Sequence, residues 1–219
     1  MKTSTRVWLA VAAVIPTGVL LAIPLALSTV TFLRERMHLY CSFLRMGDDD
    51  PGAYYCADGI GYILPGLILG FWVGVLLLAV AITSAVLLPR PALATRSLSV
   101  LGIAGLVFTV VASLVASAPR AGDGDPPDAA WAGVMVAPSL LFAVASVILL
   151  IVALGGFRRF TRTALWVVLA LVLPATAVEP SLLFGTIPTL MASAAALLMS
   201  YVRVPASLAP AAASSARRG

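Results

Sequence analysis

Six stretches of this chain are long enough to cross a bilayer, or nearly so, and contain no ionisable side chain. A spanning helix needs about 20 apolar residues, because it rises about 1.5 Å per residue through a hydrocarbon core about 30 Å thick. The stretches are Val7–Leu33, Gly59–Leu88, Ser97–Ala118, Ala132–Leu154, Thr163–Val178 and Leu182–Val202, and none contains Asp, Glu, Lys, Arg or His. Backbone groups in lipid must be hydrogen-bonded within the protein, so only helices and closed β-barrels can span. Barrel strands alternate apolar and polar residues, whereas these runs are apolar throughout. The expectation is an all-α integral membrane protein, a six-transmembrane-helix bundle. The fifth stretch is the shortest, and only Glu179-Pro180-Ser181 divides it from the sixth. A re-entrant pair is the competing reading of these two. The first stretch follows Lys2 and Arg6 as a signal peptide would. Its apolar run far exceeds the roughly 7–15 residues of a signal core, and no A-x-A site ends it before Arg34, so it reads as a retained helix.

Composition excludes the other broad classes. Hydrophobic residues make up 61% of the 219 and charged residues 11%. Soluble domains carry about a quarter charged residues, and disorder needs high charge with low hydrophobicity.

Charge gives the expected sidedness. With six spans both termini share one side, which then holds Lys2, Arg6, Arg90, Arg96, Arg158, Arg159, Arg162, Arg203, Arg217 and Arg218. The other side holds Arg34, Arg36, Arg45 and Arg120. Ten against four places the termini in the cytoplasm, since Lys and Arg collect in short cytoplasmic loops. All nine acids (Glu35, Asp48, Asp49, Asp50, Asp58, Asp123, Asp125, Asp128 and Glu179) fall on the opposite side, although they play no part in choosing the orientation. The net charge of +5 therefore says nothing about nucleic acid, and none is expected as a partner. Arginine outnumbers lysine thirteen to one and alanine is abundant, which suggests a GC-rich bacterial genome and a bacterial cell membrane.

Residues 1–204 are expected to form the transmembrane domain, with an extracytoplasmic loop at 34–58. Residues 205–219, rich in Ala, Ser and Pro, read as a disordered cytoplasmic tail. The loop holds the two cysteines of the chain, Cys41 and Cys56, on the oxidising side. Two thiols in one such loop are most simply a disulfide tying a compact lobe, with Met46–Gly52 as turn material between them. A redox role competes, but membrane thiol oxidoreductases rely on a C-x-x-C spacing. A zinc site on His38, Cys41 and Cys56 competes as well, but lacks a defined fourth ligand. The acidic loops Asp48–Asp50 and Asp123–Asp128 read as solvated turns and lack the ligand pattern of a calcium loop.

Buried ionisable residues mark proton relays and ion paths in membranes, and these stretches have none. Nucleophile-elbow, H-E-x-x-H and Walker patterns are missing too. No catalytic residue, cofactor or metal is expected. The positive signal is small-residue packing. Gly66, Gly70 and Gly74 form a tandem G-x-x-x-G in the second stretch, a pattern that lets another backbone approach closely. Thr109, Ser113 and Ser117 form a milder version in the third stretch, and Ala192, Ala196 and Ser200 in the sixth. Six prolines, Pro16, Pro24, Pro65, Pro138, Pro174 and Pro188, are expected to interrupt five helices. The leading expectation is a non-catalytic accessory, assembly or structural subunit of a membrane complex, with the lipid bilayer and other subunits or a second copy as partners. The alternatives are a small transporter or channel for a neutral or lipid-like solute, using hydroxyls such as Thr17, Thr83, Thr109 and Thr176, and a membrane thiol oxidoreductase.

Overall fold

The structure, a computed structural model, describes residues 8, 23–43, 54–56, 58–116, 134–155 and 160–201. Five described helices are long and apolar enough to cross a membrane: Gly59–Leu87, Pro91–Ala116, Val136–Ala153, Thr161–Val178 and Pro180–Tyr201. Of the first expected span only residues 8 and 23–33 are described. They are helical from residue 23 to 31 (α1), continuing into a π turn at Phe32–Arg36. The expected tail at 205–219, the turn Met46–Gly52 and the acidic loop Asp123–Asp128 lie outside the described residues. The remaining helices are α2 (Ile63–Leu87), α3 (Pro91–Ala116), α4 (Val136–Ala153), α5 (Thr161–Val178) and α6 (Leu183–Tyr201). Short 3₁₀ turns at Gly59–Tyr62 and Pro180–Leu182 lead into α2 and α6.

The third helix extends beyond the expected apolar span. It starts at Pro91 rather than Ser97, so Arg96 is helical. Hydropathy ends a span at its last cation, but the helix does not: proline is favoured at a first helical position, where its missing N–H is no loss. Pro65 and Pro138 sit in the first turns of α2 and α4 for the same reason and do not interrupt them. Pro174 and Pro188 do lie inside α5 and α6.

Helices α5 and α6 form an antiparallel hairpin as long as the bundle. At one end the Arg162 guanidinium donates to the Ser200 carbonyl at 2.8 Å. At the other, Arg36 Nε meets Glu179 Oε1 at 3.2 Å, which brings the turn between the two helices level with the end of α1. Eighteen residues of α5 give a length of about 27 Å, close to one hydrocarbon thickness. Helix α6 is the most enclosed of the five and α2 the least.

Beyond α1 the chain forms a two-stranded antiparallel hairpin, β1 (Cys41–Phe43) and β2 (Tyr54–Cys56), with Cys41 opposite Cys56. Three-residue strands show no alternation, so hydropathy gives no sign of them. The turn into β1 is a helix cap. The Leu39 N–H donates to the Leu33 carbonyl at 2.8 Å, and His38 has a left-handed φ of 48°. The bond spans one residue more than in a Schellman cap, as the preceding π turn requires, and both Leu33 and Leu39 are buried. Phe184 joins α6 to this end of the bundle, its ring 4.8 Å from Phe32 and 6.2 Å from Phe108.

Candidate functional site

The two cysteines form the expected disulfide. The bond joins the first residue of β1 to the last of β2, where the register already sets the two residues opposite each other. Cys41 is buried, and close by the Tyr62 hydroxyl donates to the Leu39 carbonyl at 2.6 Å. The hairpin is thereby fastened to the start of α2. With both sulfurs in this bond, neither is a thiolate for a metal. Next to the hairpin is the Arg36–Glu179 pair, and the Ser181 hydroxyl also donates to Glu179 Oε1, at 2.6 Å.

Arg36 keeps 45% of its side-chain exposure while Glu179 keeps 11%, so water screens the pair from one side. Half-exposed pairs contribute less than about 1 kcal/mol. An Arg36→Gln variant is therefore expected to lower stability by less than about 1 kcal/mol, with the difference shrinking at high salt. Thermal unfolding in detergent at low and high ionic strength measures this. A loss of several kcal/mol would mean that Glu179 depends on Arg36 alone.

Among the described residues the glycine triple is divided. Gly66 faces Thr29 of α1, 3.9 Å from where a Cβ would stand. Gly70 and Gly74 are exposed, with no described atom within 4 Å of that position. They share their face of α2 with exposed Ile63, Leu67 and Phe71. Trp72 is half-exposed and meets Phe71 edge-on at 5.8 Å.

The close contact lies between α3 and α6. Gly102, Gly105, Thr109 and Ser113 line one helix; Gly185, Thr189, Ala192 and Ala196 line the other; all are buried. A Cβ on Gly185 would run into the Thr109 hydroxyl, and one on Gly105 into that of Thr189. Thr189 Oγ1 donates across the seam to the Gly102 carbonyl at 2.9 Å. Thus the milder stripes of hydroxyls and alanines form the interior seam, with Ser117 outside the described residues. The signal for the missed glycines was spacing. Steps of four advance about 40° around a helix beyond one full turn, so a strict 4-4 stripe drifts, whereas alternating steps of three and four hold one line. Gly102, Gly105 and Thr109 follow that rule, as do Gly185, Thr189 and Ala192. The hydroxyls are taken up locally: Thr109 donates to the Gly105 carbonyl and Thr176 to that of Val172, each at 2.9 Å.

Two cavities open at opposite ends. One, about 370 Å³, is apolar and lies between α2, α3 and the turn that follows α1, against Leu39, Tyr40, Pro65, Trp72 and Phe108. The other, about 590 Å³, has Arg96 and Arg162 in its wall. The split agrees with the charge reading, in which Arg36 and Glu179 share one side and Arg96 and Arg162 the other. Comparison of the chain with known protein families, curated proteins and solved structures found no match.

Proposed function

We propose that the chain is a six-span protein of a bacterial cell membrane, with both termini in the cytoplasm and the disulfide hairpin outside. It works by contact, as a non-catalytic accessory, assembly or structural subunit of a larger membrane complex. The observation that supports this reading is the outer face of α2. Lipid tails are as apolar as leucine, so exposed leucines there need no partner. Glycines are different: facing lipid they contribute no packing, whereas facing a second backbone they permit close approach. Gly70 and Gly74 stand on that face, open among the described residues.

Purification in mild detergent at native expression tests the proposal, and a lone monomer with no partner would sink it. A Gly74→Ile variant is expected to keep the unfolding temperature of the isolated chain while losing the co-purified partner or second copy. If the variant instead melts early, the stripe is an internal contact of this chain. The runner-up, transport of a lipid-like solute, draws support from the apolar cavity beside Trp72. Uptake by the pure protein in proteoliposomes would favour it.

A further inference from the structure

The cavity at the arginine end combines features that together select an anion. Its wall contains the side chains of Arg96 and Arg162, and Val152 and Met199 give it an apolar lining. The volume of about 590 Å³ falls within the roughly 300–1,000 Å³ usual for small-ligand pockets. Two guanidinium groups around one space repel each other, with Arg96 half-buried and the exposed Arg162 screened by water on its open side. A carboxylate would relieve the repulsion, but the one ion pair among the described residues, Arg36–Glu179, is at the far end of the bundle. Among the described residues the acids are Glu35, Asp58 and Glu179, and all three lie at that far end.

The arrangement of the arginines is built into the backbone. Gly155 closes α4 with a φ of +80°, a conformation that favours glycine. The Arg96 guanidinium occupies the place where a Cβ on Gly155 would stand. Glycine is therefore required there twice, once for the chain reversal and once to admit Arg96. Arg162 is fixed as well, donating Nε and Nη2 to the Ser200 carbonyl while lying 4.2 Å over the Tyr201 ring. Those bonds cover the carbonyl end of α6, and the Leu154 and Gly155 amides cover that of α4. The carbonyl ends of α4 and α6 are thus partly neutralised. The first turns of α3 and α5 also face the space, through Pro91, Ala92 and Thr161; Pro91 has no N–H to donate, and the positive ends of the two helix dipoles favour negative charge.

We propose that this cavity binds a phosphate group, with Arg96 and Arg162 as its guanidinium partners. The phosphate comes either from the headgroup of an anionic phospholipid in the adjoining leaflet or from free phosphate in solution. Guanidinium forks match phosphate oxygens in pairs, and basic pockets between membrane helices suit lipid headgroups.

The test uses the full chain in nanodiscs of phosphatidylcholine, with either phosphatidylglycerol in the bilayer or inorganic phosphate in the buffer. Unfolding temperature is followed across each titration. The expected result is stabilisation of the wild type by one of the two, with Arg96→Gln and Arg162→Gln each shifting the midpoint at least tenfold and Arg36→Gln leaving it unchanged. Stabilisation by phosphatidylglycerol alone identifies the headgroup, and stabilisation by inorganic phosphate identifies the free anion. If Arg96→Gln does not fold, Arg96→Lys takes its place, since it keeps the positive charge but lacks the planar fork that pairs with phosphate oxygens. No stabilisation by either probe, or a midpoint that both arginine variants share with the wild type, overturns the proposal.

Discussion

A Gly185→Ala variant is expected to lose about 3 kcal/mol of stability or more, read as a fall in unfolding temperature in mild detergent. Extra atoms in a packed core usually cost about 1–3 kcal/mol, the cost rising as the neighbours become less able to move. Here the neighbour is rigid. The added methyl would overlap the Thr109 hydroxyl and lie 2.8 Å from the Thr109 Cβ, an atom fixed to the α3 backbone. Relief requires moving α3 away from α6, which also stretches the bond from Thr189 to the Gly102 carbonyl. That bond alone is a minor term, since hydrogen bonds between membrane helices average about 0.6 kcal/mol. The larger loss is close packing along the whole seam. A Thr109→Gly change in the same chain is expected to restore part of the stability, because it removes the obstructing atoms. Gly70→Ala is the control: no described atom lies within 4 Å of the new methyl, so it is expected to be neutral or slightly stabilising. Equal losses at the two sites would refute the assignment of the α3–α6 seam as the packed interface.

Cys41→Ser is expected to lower stability by about 3 kcal/mol, as is treatment of the wild type with a thiol reductant. In the chain-entropy description, opening a loop of this length releases roughly that much in the unfolded state. The hairpin has few other fastenings: three residues per strand, and the Tyr62 hydroxyl on the Leu39 carbonyl. Melting curves with and without reductant measure the effect, and reductant is expected to do nothing further to the variant. A redox-active pair gives the reverse pattern, with thiol–disulfide exchange abolished and the melting temperature hardly moved.

The apolar runs and the two cysteines made the membrane helices and the cystine legible from sequence. Both signals are local: a window of apolar residues long enough for a bilayer, and paired thiols in one short loop. The grouping of charges was legible for the same reason, and it places Arg36 with Glu179 and Arg96 with Arg162. The inner packing was less so. Gly66, Gly70 and Gly74 draw the eye because their spacing is regular, yet the enclosed glycines are Gly102, Gly105 and Gly185. Which small residue meets which is decided between segments far apart in the chain, and no single segment records it. Arg96 shows a different limit. As a cation it ended an apolar window, while in the fold it sits one and a half turns inside α3 with its guanidinium lodged against Gly155. Neither the proline that starts that helix nor the glycine that admits the side chain carries any hydropathy signal.

The depth of the α3–α6 seam has a consequence for biogenesis. Ribosomes deliver the chain from its N-terminus, so α3 is inserted long before its main partner has been synthesised. Until residues 183–201 arrive, the groove formed by Gly102, Gly105 and Thr109 has no α6 to fill it. Helix α6 therefore acts as a keystone. A nascent chain arrested just short of it presents an open small-residue groove, and with it a surface by which membrane quality control can tell an unfinished molecule from a finished one.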